Sequence, residues 1–367
     1  MTLLRAVLIF VFFVCTPVSI AKPSFSVLFV NPSLAGEPFW GKVQKITEEA
    51  SKQLGVNIDV IYGDGNRHIQ LAELKKYLDY RASPDYVILM LYPGGAEQTL
   101  TMLDNYGIKF ITLEQTITGM EKEEIGYPKQ RFEHWLGEIY FDNYQAGFDL
   151  AKSLHDSVIA SGHKGDVNGL AINGHYGSES DKRNQGAADY FKSAGIKLQQ
   201  TVHASWSKEQ AYTKTRRLFK RYPDTQLIWS ASDLMAMGAQ TAIRQLQKGD
   251  VKVAIGGFDW LSDSLSLIQK GQLSATVGGH FMMGGWALIS IFDFHHGNKY
   301  WHKNSQITFE LSAITRDNIS EYIWISNNPD WSRIDYKQFS ILDKKQTRYD
   351  FSPEYLKQST QQPVSKH

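Results

Sequence analysis

The chain has 367 residues, more than one ordinary core organises and enough for two. Hydrophobic residues make up 42% and charged residues 21%, a normal globular balance. Lys and Arg total 39 against 38 Asp and Glu, so the bulk charge argues against a nucleic-acid partner, which would need a basic face.

The first 21 residues differ from the rest. Arg5 precedes an apolar run from Ala6 to Cys15, Thr16-Pro17 breaks the run, and Ser19-Ile20-Ala21 offers small residues for cleavage. This pattern predicts a secretory signal peptide cut near Ala21. The run is about ten residues, short of the roughly 20 that a spanning helix needs, although an uncleaved anchor is the plainer alternative. Cys15 is the only cysteine and lies inside this segment. After cleavage there would be no thiol chemistry, which fits export to a bacterial periplasm.

From Ser26 onward, short β-rich runs (SFSVLFV, VNIDVIY, DYVILML, IKFITL) alternate with amphipathic stretches. Val43, Ile46, Ala50 and Leu54 recur at helical spacing within Lys42 to Leu54, and Leu71 to Tyr80 forms a second such stretch. Strands apolar along their whole length are buried on both faces, as in a parallel sheet. Thr116 to Glu138 has no clear period. The alternation then restarts with GEIYF, a helix from Asp142, DVNGLAIN, a helix from Asp181 and KLQQTV. A helix from Lys208, QLIWS, a helix from Asp233, VKVAIGG and a helix near Leu261 follow. GQLSATVGG and a helical stretch from Phe281 to His295 close the second unit. The pattern therefore predicts two successive α/β units of similar build. Tyr300 to Tyr355 is rich in Trp, Tyr, Asn and Asp; it should add one strand at ITFELSAI and then wrap the surface. A polar tail after Ser359 is expected to be disordered.

Catalytic and cofactor signatures are missing. No phosphate-binding loop, nucleophile elbow or His-Glu-x-x-His occurs, and GDGNRH lacks the third glycine of a dinucleotide loop. The His295-His296 pair points to two faces and makes a poor metal site. No cofactor or metal is expected, and binding is favoured over catalysis. Polar and aromatic residues instead follow the predicted strands, where ligands bind in open α/β sheets. They are Phe39 and Trp40, Glu114 and Gln115, Trp206 and Ser207, Ser232 and Asp233, and Asp259 and Trp260; Arg183 opens a helix in SDKRNQG.

With these residues in view, the chain resembles the class I periplasmic binding proteins of the ribose- and galactose-binding type. Pro38-Phe39-Trp40 is similar to that family's Pro-aromatic-aromatic element, and ITLEQ stands where it carries an acidic-basic clamp. DNYQAG, RNQG, Trp206, SDLMAMGA, GGFD and QLSATV follow in the family's order, so the likeness covers about Ser26 to Gly297. The resemblance implies two doubly wound parallel-sheet lobes joined by a three-crossover hinge. The crossovers would fall near 115–141, 279–282 and 308–312. It implies a first lobe of 24–116 with about 282–308, a second of 139–279 with about 310–340, and a tail over 341–367. The departures also matter. Glu37 replaces an Asn, the clamp becomes Glu114-Gln115, Ser232 replaces an Asn, and Gly279 replaces a Gln. Plain ribose is therefore not the expected ligand. A weaker resemblance, to autoinducer-2 receptor proteins, rests on their aromatic-Trp pair, Gln-Asn ending and Arg at related positions, and on their extended C-terminus.

The implied ligand residues are Glu37, Phe39, Trp40, Glu114, Gln115, Arg183, Trp206, Ser232 and Asp259. Flat rings can cover the C–H faces of a sugar, while Arg183 and Asp259 bind its oxygen edges. Each has a plainer alternative: one of Phe39 and Trp40 packing beneath the loop, Arg183 as a surface charge, Asp259 and Asp233 as helix caps, Glu37 and Glu114 as exposed turn acids. Three acids with one Arg183 would make the cleft net acidic and suit a polyol, amino sugar or other cation. The expected partners are a sugar-like small molecule and an inner-membrane ABC permease, with the protein a monomer. The alternative is a membrane sensor protein that reads the closed form.

Overall fold

A computed structural model of the chain describes residues 25–246, 253–322, 324, 329–342 and 344–361. The predicted signal peptide, Cys15 and the last residues of the predicted disordered tail lie outside the described residues. Ser359 itself is buried within a helix.

The first lobe runs β1 (Ser26–Asn31), α1 (Pro38–Leu54), β2 (Asn57–Tyr62), α2 (Arg67–Tyr80), β3 (Tyr86–Met90) and α3 (Ala96–Asn105). It continues with β4 (Lys109–Leu113), α4 (Gly119–Ile125) and β5 (Trp135–Phe141). The second lobe runs α5 (Asn143–Ala160), β6 (Asn168–Asn173), α6 (Ser178–Ser193), β7 (Lys197–His203) and α7 (Lys208–Arg221). It continues with β8 (Leu227–Ser230), α8 (Asp233–Leu246), β9 (Ala254–Phe258), α9 (Ser262–Gln269) and β10 (Ala275–Gly278). The chain then returns to the first lobe with α10 (Met283–His295), the short α11 (Tyr300–Lys303) and β11 (Gln306–Phe309), and crosses back for β12 (Ser312–Thr315).

The two sheets share one strand order. Their orders are β11-β5-β4-β3-β1-β2 and β12-β10-β9-β8-β6-β7. All pairings are parallel except β10 with β12. Central strands are buried on both faces: Val27, Leu28, Phe29 and Val30 are at most 1% exposed. Each such side chain contributes about 1.5–3 kcal/mol by leaving water. Edge strand β2 alternates between exposed and half-buried residues, as an edge should.

Local chemistry sets the elements. Pro38 occupies the first turn of α1, where its missing N–H costs nothing, and Gly55 ends the helix at a φ of 67°. α5 and α6 cross at backbone contact. A Cβ on Gly147 would lie 1.9 Å from the Arg183 carbonyl oxygen, and one on Gly186 1.9 Å from that of Tyr144. This close crossing fixes where Arg183 stands.

Four expectations need correction. GEIYF belongs to the first sheet, since Phe110–Leu113 pairs with Trp135–Ile139, so the first sheet extends to Phe141. The apparent pause at 116–138 holds α4, of which only Ile125 is buried, and so small a buried face leaves no period. ITFELSAI is two strands in different sheets, broken where the chain crosses at Glu310 and Leu311. Residues 331–340 pack on the first lobe, not the second. Gln53 Nε2 donates to the carbonyls of Ser332 and Ile334 at 3.2 and 2.7 Å, and Tyr336 N–H donates to Gln53 Oε1 at 3.0 Å.

Residues 341–342 and 344–361 continue this wrap. Phe351 stacks on Trp286 of α10 at 4.5 Å, and α12 (Pro353–Gln361) buries Leu356. The buried Asp293 carboxylate accepts from Ser340 Oγ, Ile341 N–H and Tyr349 OH. Beside the crossovers, Trp260 is wholly buried against Phe281 and Tyr322, and its Nε1–H donates to the Ser312 carbonyl at 3.1 Å.

Candidate functional site

The C-terminal ends of the strands in both sheets line one cavity of about 460 Å³. Pro32 and Ser33 follow β1, Gly65 follows β2, Tyr92 follows β3 and Glu114 follows β4. From the other lobe His175 follows β6, Trp206 follows β7, Ser232 follows β8, Asp259 follows β9 and His280 follows β10. A larger recess, of about 720 Å³, lies at the opposite ends of β9 and β10. It has no aromatic lining, and ligands of open α/β sheets bind at the carboxyl ends of strands. The smaller cavity is therefore the candidate site.

The first lobe delivers its rings from the opening turn of α1. The Glu37 carboxylate accepts from the N–H groups of Phe39 and Trp40 at 3.2 and 2.7 Å, which caps the helix. Phe39 is buried and lies against His280, with ring centroids 4.5 Å apart. Trp40 is half-buried and stands edge-on to Phe39. Burial raises the Glu37 carboxyl above the usual range, and the two amides partly offset this.

The second lobe delivers its groups from strained backbone. Trp206 and Asp259 have φ values of 61° and 108°, and Glu114 of the first lobe has 59°. Such conformations cost roughly 1–3 kcal/mol each and persist only where the surroundings impose them. The Trp206 indole lies over Gly174, where a Cβ would come within 2.3 Å of the ring, and its Nε1–H donates to His175 Nδ1.

Arg183 is 3% exposed. Its Nε and Nη1 donate to Asn143 Oδ1 and the Ala231 carbonyl at 2.7 and 3.1 Å, and its guanidinium faces the Phe258 ring at 4.7 Å. The remaining N–H donors can serve a ligand. The Asp259 carboxylate meets His280 Nε2 at 3.2 Å. Burial moves the Asp259 carboxyl up to about 7, against the charges of Arg183 and Lys42. Burial also holds His280 well below its ordinary value, helped by Arg183 and Lys42. His280 is thus neutral, and the contact is satisfied when Nε2 carries the proton. Burial and the nearby Glu179 charge push Glu114 up to about 8.

Two lysines bridge the lobes. Lys42 Nζ donates to the carbonyls of Asp259 and Trp260 at 3.2 and 2.8 Å, and burial lowers it to about 8. Lys182 Nζ donates to Gln115 Oε1 at 3.1 Å.

Glu37, Phe39, Trp40, Glu114, Arg183, Trp206, Ser232 and Asp259 all line this cavity. Gln115 does not line it; it follows Glu114 at the strand end and therefore faces away, toward Lys182. Ser232 also caps α8, its Oγ accepting from Met235 N–H at 3.3 Å. Asp233, read as a cap, instead ties the start of α9 to β10, accepting from Leu261 N–H and Thr276 Oγ1 at 2.9 and 2.8 Å. Burial, and then the Asp259 charge, raise its carboxyl. The sequence reading missed His280, Glu179, His175, Met90 and Tyr92. His175 and Tyr92 follow strands and obey the rule that found the others. His280 follows β10, but it sits in a crossover beside the Gly279 substitution and gave no signal of its own.

A family model for the periplasmic binding protein domain matches residues 27–293. The D-allose-binding periplasmic protein of Escherichia coli K12 is 28% identical over 249 residues, 65% of this chain and 75% of that protein. The ribose import binding protein of Bacillus subtilis 168 is 22% identical over 291 residues, 76% of this chain and 87% of that protein. The crystal structure of a periplasmic sugar-binding protein from Pseudomonas fluorescens superposes with a TM-score of 0.79 at 26% identity, covering 90% of this chain and 99% of that one. With its paired parallel sheets, three crossovers and cleft at the strand ends, the chain belongs to the periplasmic binding protein domain family and has the class I fold.

Proposed function

We propose that this protein binds a sugar or sugar-like molecule between its lobes, in the periplasm, and delivers it to an ABC-type importer. The carrying observation is the approach of Trp40 and Trp206 from opposite lobes to a cavity edged by Arg183 and Asp259. Indole faces suit the C–H faces of a pyranose or furanose, and the fork of Arg183 suits adjacent oxygens. Relatives named for D-allose binding and ribose import support this class of ligand. A micromolar ligand needs about −8 kcal/mol, within reach of two stacked faces and several charge-assisted hydrogen bonds. Closure would follow from tighter binding to the closed form.

Thermal-shift screening against D-allose, D-ribose and other sugars and polyols tests the reading. A ligand should raise the melting point, and Trp40→Ala should remove that rise. No shift with any sugar or polyol would overturn it. A second reading, presentation of the closed form to a membrane sensor, draws on the wrap of 331–361 around α1 and α10, which adds a surface to the bare two-lobed core. Reconstitution with a permease and with a sensor separates the two by which one the loaded protein stimulates.

A further inference from the structure

We propose that the ligand carries a cationic amine, seated between Glu114 of the first lobe and Glu179 of the second. The proposal rests on the sugar-site reading above and narrows it to amino sugars or amino-polyols.

Four carboxylates line the cavity: Glu37, Glu114, Glu179 and Asp259. Glu37 is engaged by the amides of Phe39 and Trp40, and Asp259 by His280. Glu114 and Glu179 are 7% and 9% exposed, and their carboxylates have no hydrogen-bond partner among the described residues. They arrive from opposite lobes, one at the end of β4 and one in the first turn of α6. Both lie close enough to Tyr92 for their charges to help push its hydroxyl up to about 12, after burial.

Nearby cations answer them only in part: Arg183 pulls the Glu114 carboxyl down, but burial outweighs it. Among the described residues Arg183 is the only Lys or Arg that lines the cavity, and two of its nitrogens are committed to Asn143 and Ala231. Lys42 is held by the carbonyls of Asp259 and Trp260, and Lys182 by Gln115. Closing over a neutral ligand would leave two enclosed carboxylates sharing one guanidinium with Asp259. Desolvated carboxylates of that kind need a counter-charge or a proton. An ammonium group supplies three donors and a full charge. Trp40, Trp206 and Tyr92 line the same cavity, and aromatic rings attract a cation. In the empty cleft Glu114, pushed up to about 8, keeps its proton near neutral pH, so an arriving ammonium displaces it.

The test is calorimetry on the purified protein. Amino-deoxyhexoses with the amine at each ring position are compared with their neutral parents. At least one amine should bind about tenfold or more tighter than its parent, a difference of about 1.4 kcal/mol. Its binding should release protons near neutral pH, read from the change in heat between buffers of different ionisation enthalpy. Glu114→Gln and Glu179→Gln should each bring the amine-to-parent ratio toward one. If either variant does not fold, the other and the wild-type ratio still decide. Neutral hexoses that bind while no amine exceeds its parent would overturn the proposal and leave the sugar reading standing. A preference retained in both variants would overturn the assigned seat. No binding by any member of the panel would overturn the amino-sugar assignment, and the wider sugar and polyol screen would still decide the sugar reading.

Discussion

The first lobe presents Phe39 and Trp40 from the regular opening turn of α1, whereas the second presents Trp206 and Asp259 from residues held at positive φ. The first arrangement needs only a proline and one capping carboxylate. The second needs outside support: Gly174 leaves room for the indole, and Lys42 reaches across from the first lobe to hold the Asp259 and Trp260 carbonyls. The first lobe is also braced by the C-terminal wrap on α1 and α10. The aromatic wall of the first lobe is therefore fixed by regular structure, with Glu114 its one strained member among these residues, and the second wall is strained and partly steadied by its opposite.

The largest effect should come from Arg183→Ala, which tests whether the strained wall has a single anchor. It strips partners from Asn143 and Ala231 and leaves Asp259 and Glu114 without their guanidinium. Removing one member of a buried charged network costs roughly 3–5 kcal/mol, so denaturant unfolding should shift strongly and ligand-induced melting shifts should vanish. Arg183→Lys should not restore binding, because the planar fork is lost. A stable variant that still binds would break the comparison.

Gly174→Ala sharpens it further. Its Cβ would meet the Trp206 ring at 2.3 Å, so the indole must leave its place while the core stays intact. Affinity should fall about tenfold, or about 1.4 kcal/mol, with little change in melting point. Equal loss of both would mean that Trp206 is packing and not a cleft wall.

A smaller effect should appear in pH dependence. Glu114 and Asp259 keep protons in the folded cleft where the unfolded chain has lost them. Their contribution to stability is complete below the ordinary values of 4.5 and 3.8 and is lost as pH rises through about 8 and about 7. His280 acts in the opposite sense, mainly below its ordinary 6.5, and Lys42 mainly above about 8. Between those limits the melting point of the unliganded protein should fall by a few degrees as pH rises, and Glu114→Gln should flatten the fall. A rise across that window would contradict the buried acids.

Lys182→Ala should do least. It removes one contact between the lobes, to Gln115, and should change ligand affinity by no more than about 1 kcal/mol. A large loss would mean that closure depends on that bridge more than on Lys42.

The fold was legible where burial is symmetrical. Parallel strands such as β1 are apolar throughout, and the helices between them show their buried stripe. Legibility failed where few residues are buried, as in α4, and where partners are remote, as for Gln53 and Ile334, 281 positions apart. The site was legible by one rule, that polar and aromatic residues just past strands face the cleft. That rule reached Trp40, Trp206 and Asp259. It could not separate Glu114 from Gln115, because neighbours at a strand end face opposite ways. Glu179 lies a helical turn from Arg183 and carried no mark of its own.

Trp260 has a mechanical consequence. Its indole touches Phe281 in the second crossover and the Ser312 carbonyl just past the third. Any rotation of one half against the other must turn about that buried ring, so displacement is smallest there and grows along the lever arm toward the lips. Leu34 and Tyr176, 58% and 80% exposed, stand on opposite lips beside the cavity-lining Ser33 and His175. Cys15 is the chain's only cysteine, so spectroscopic probes attached at these two places would report the full swing without competing thiols in the lobes.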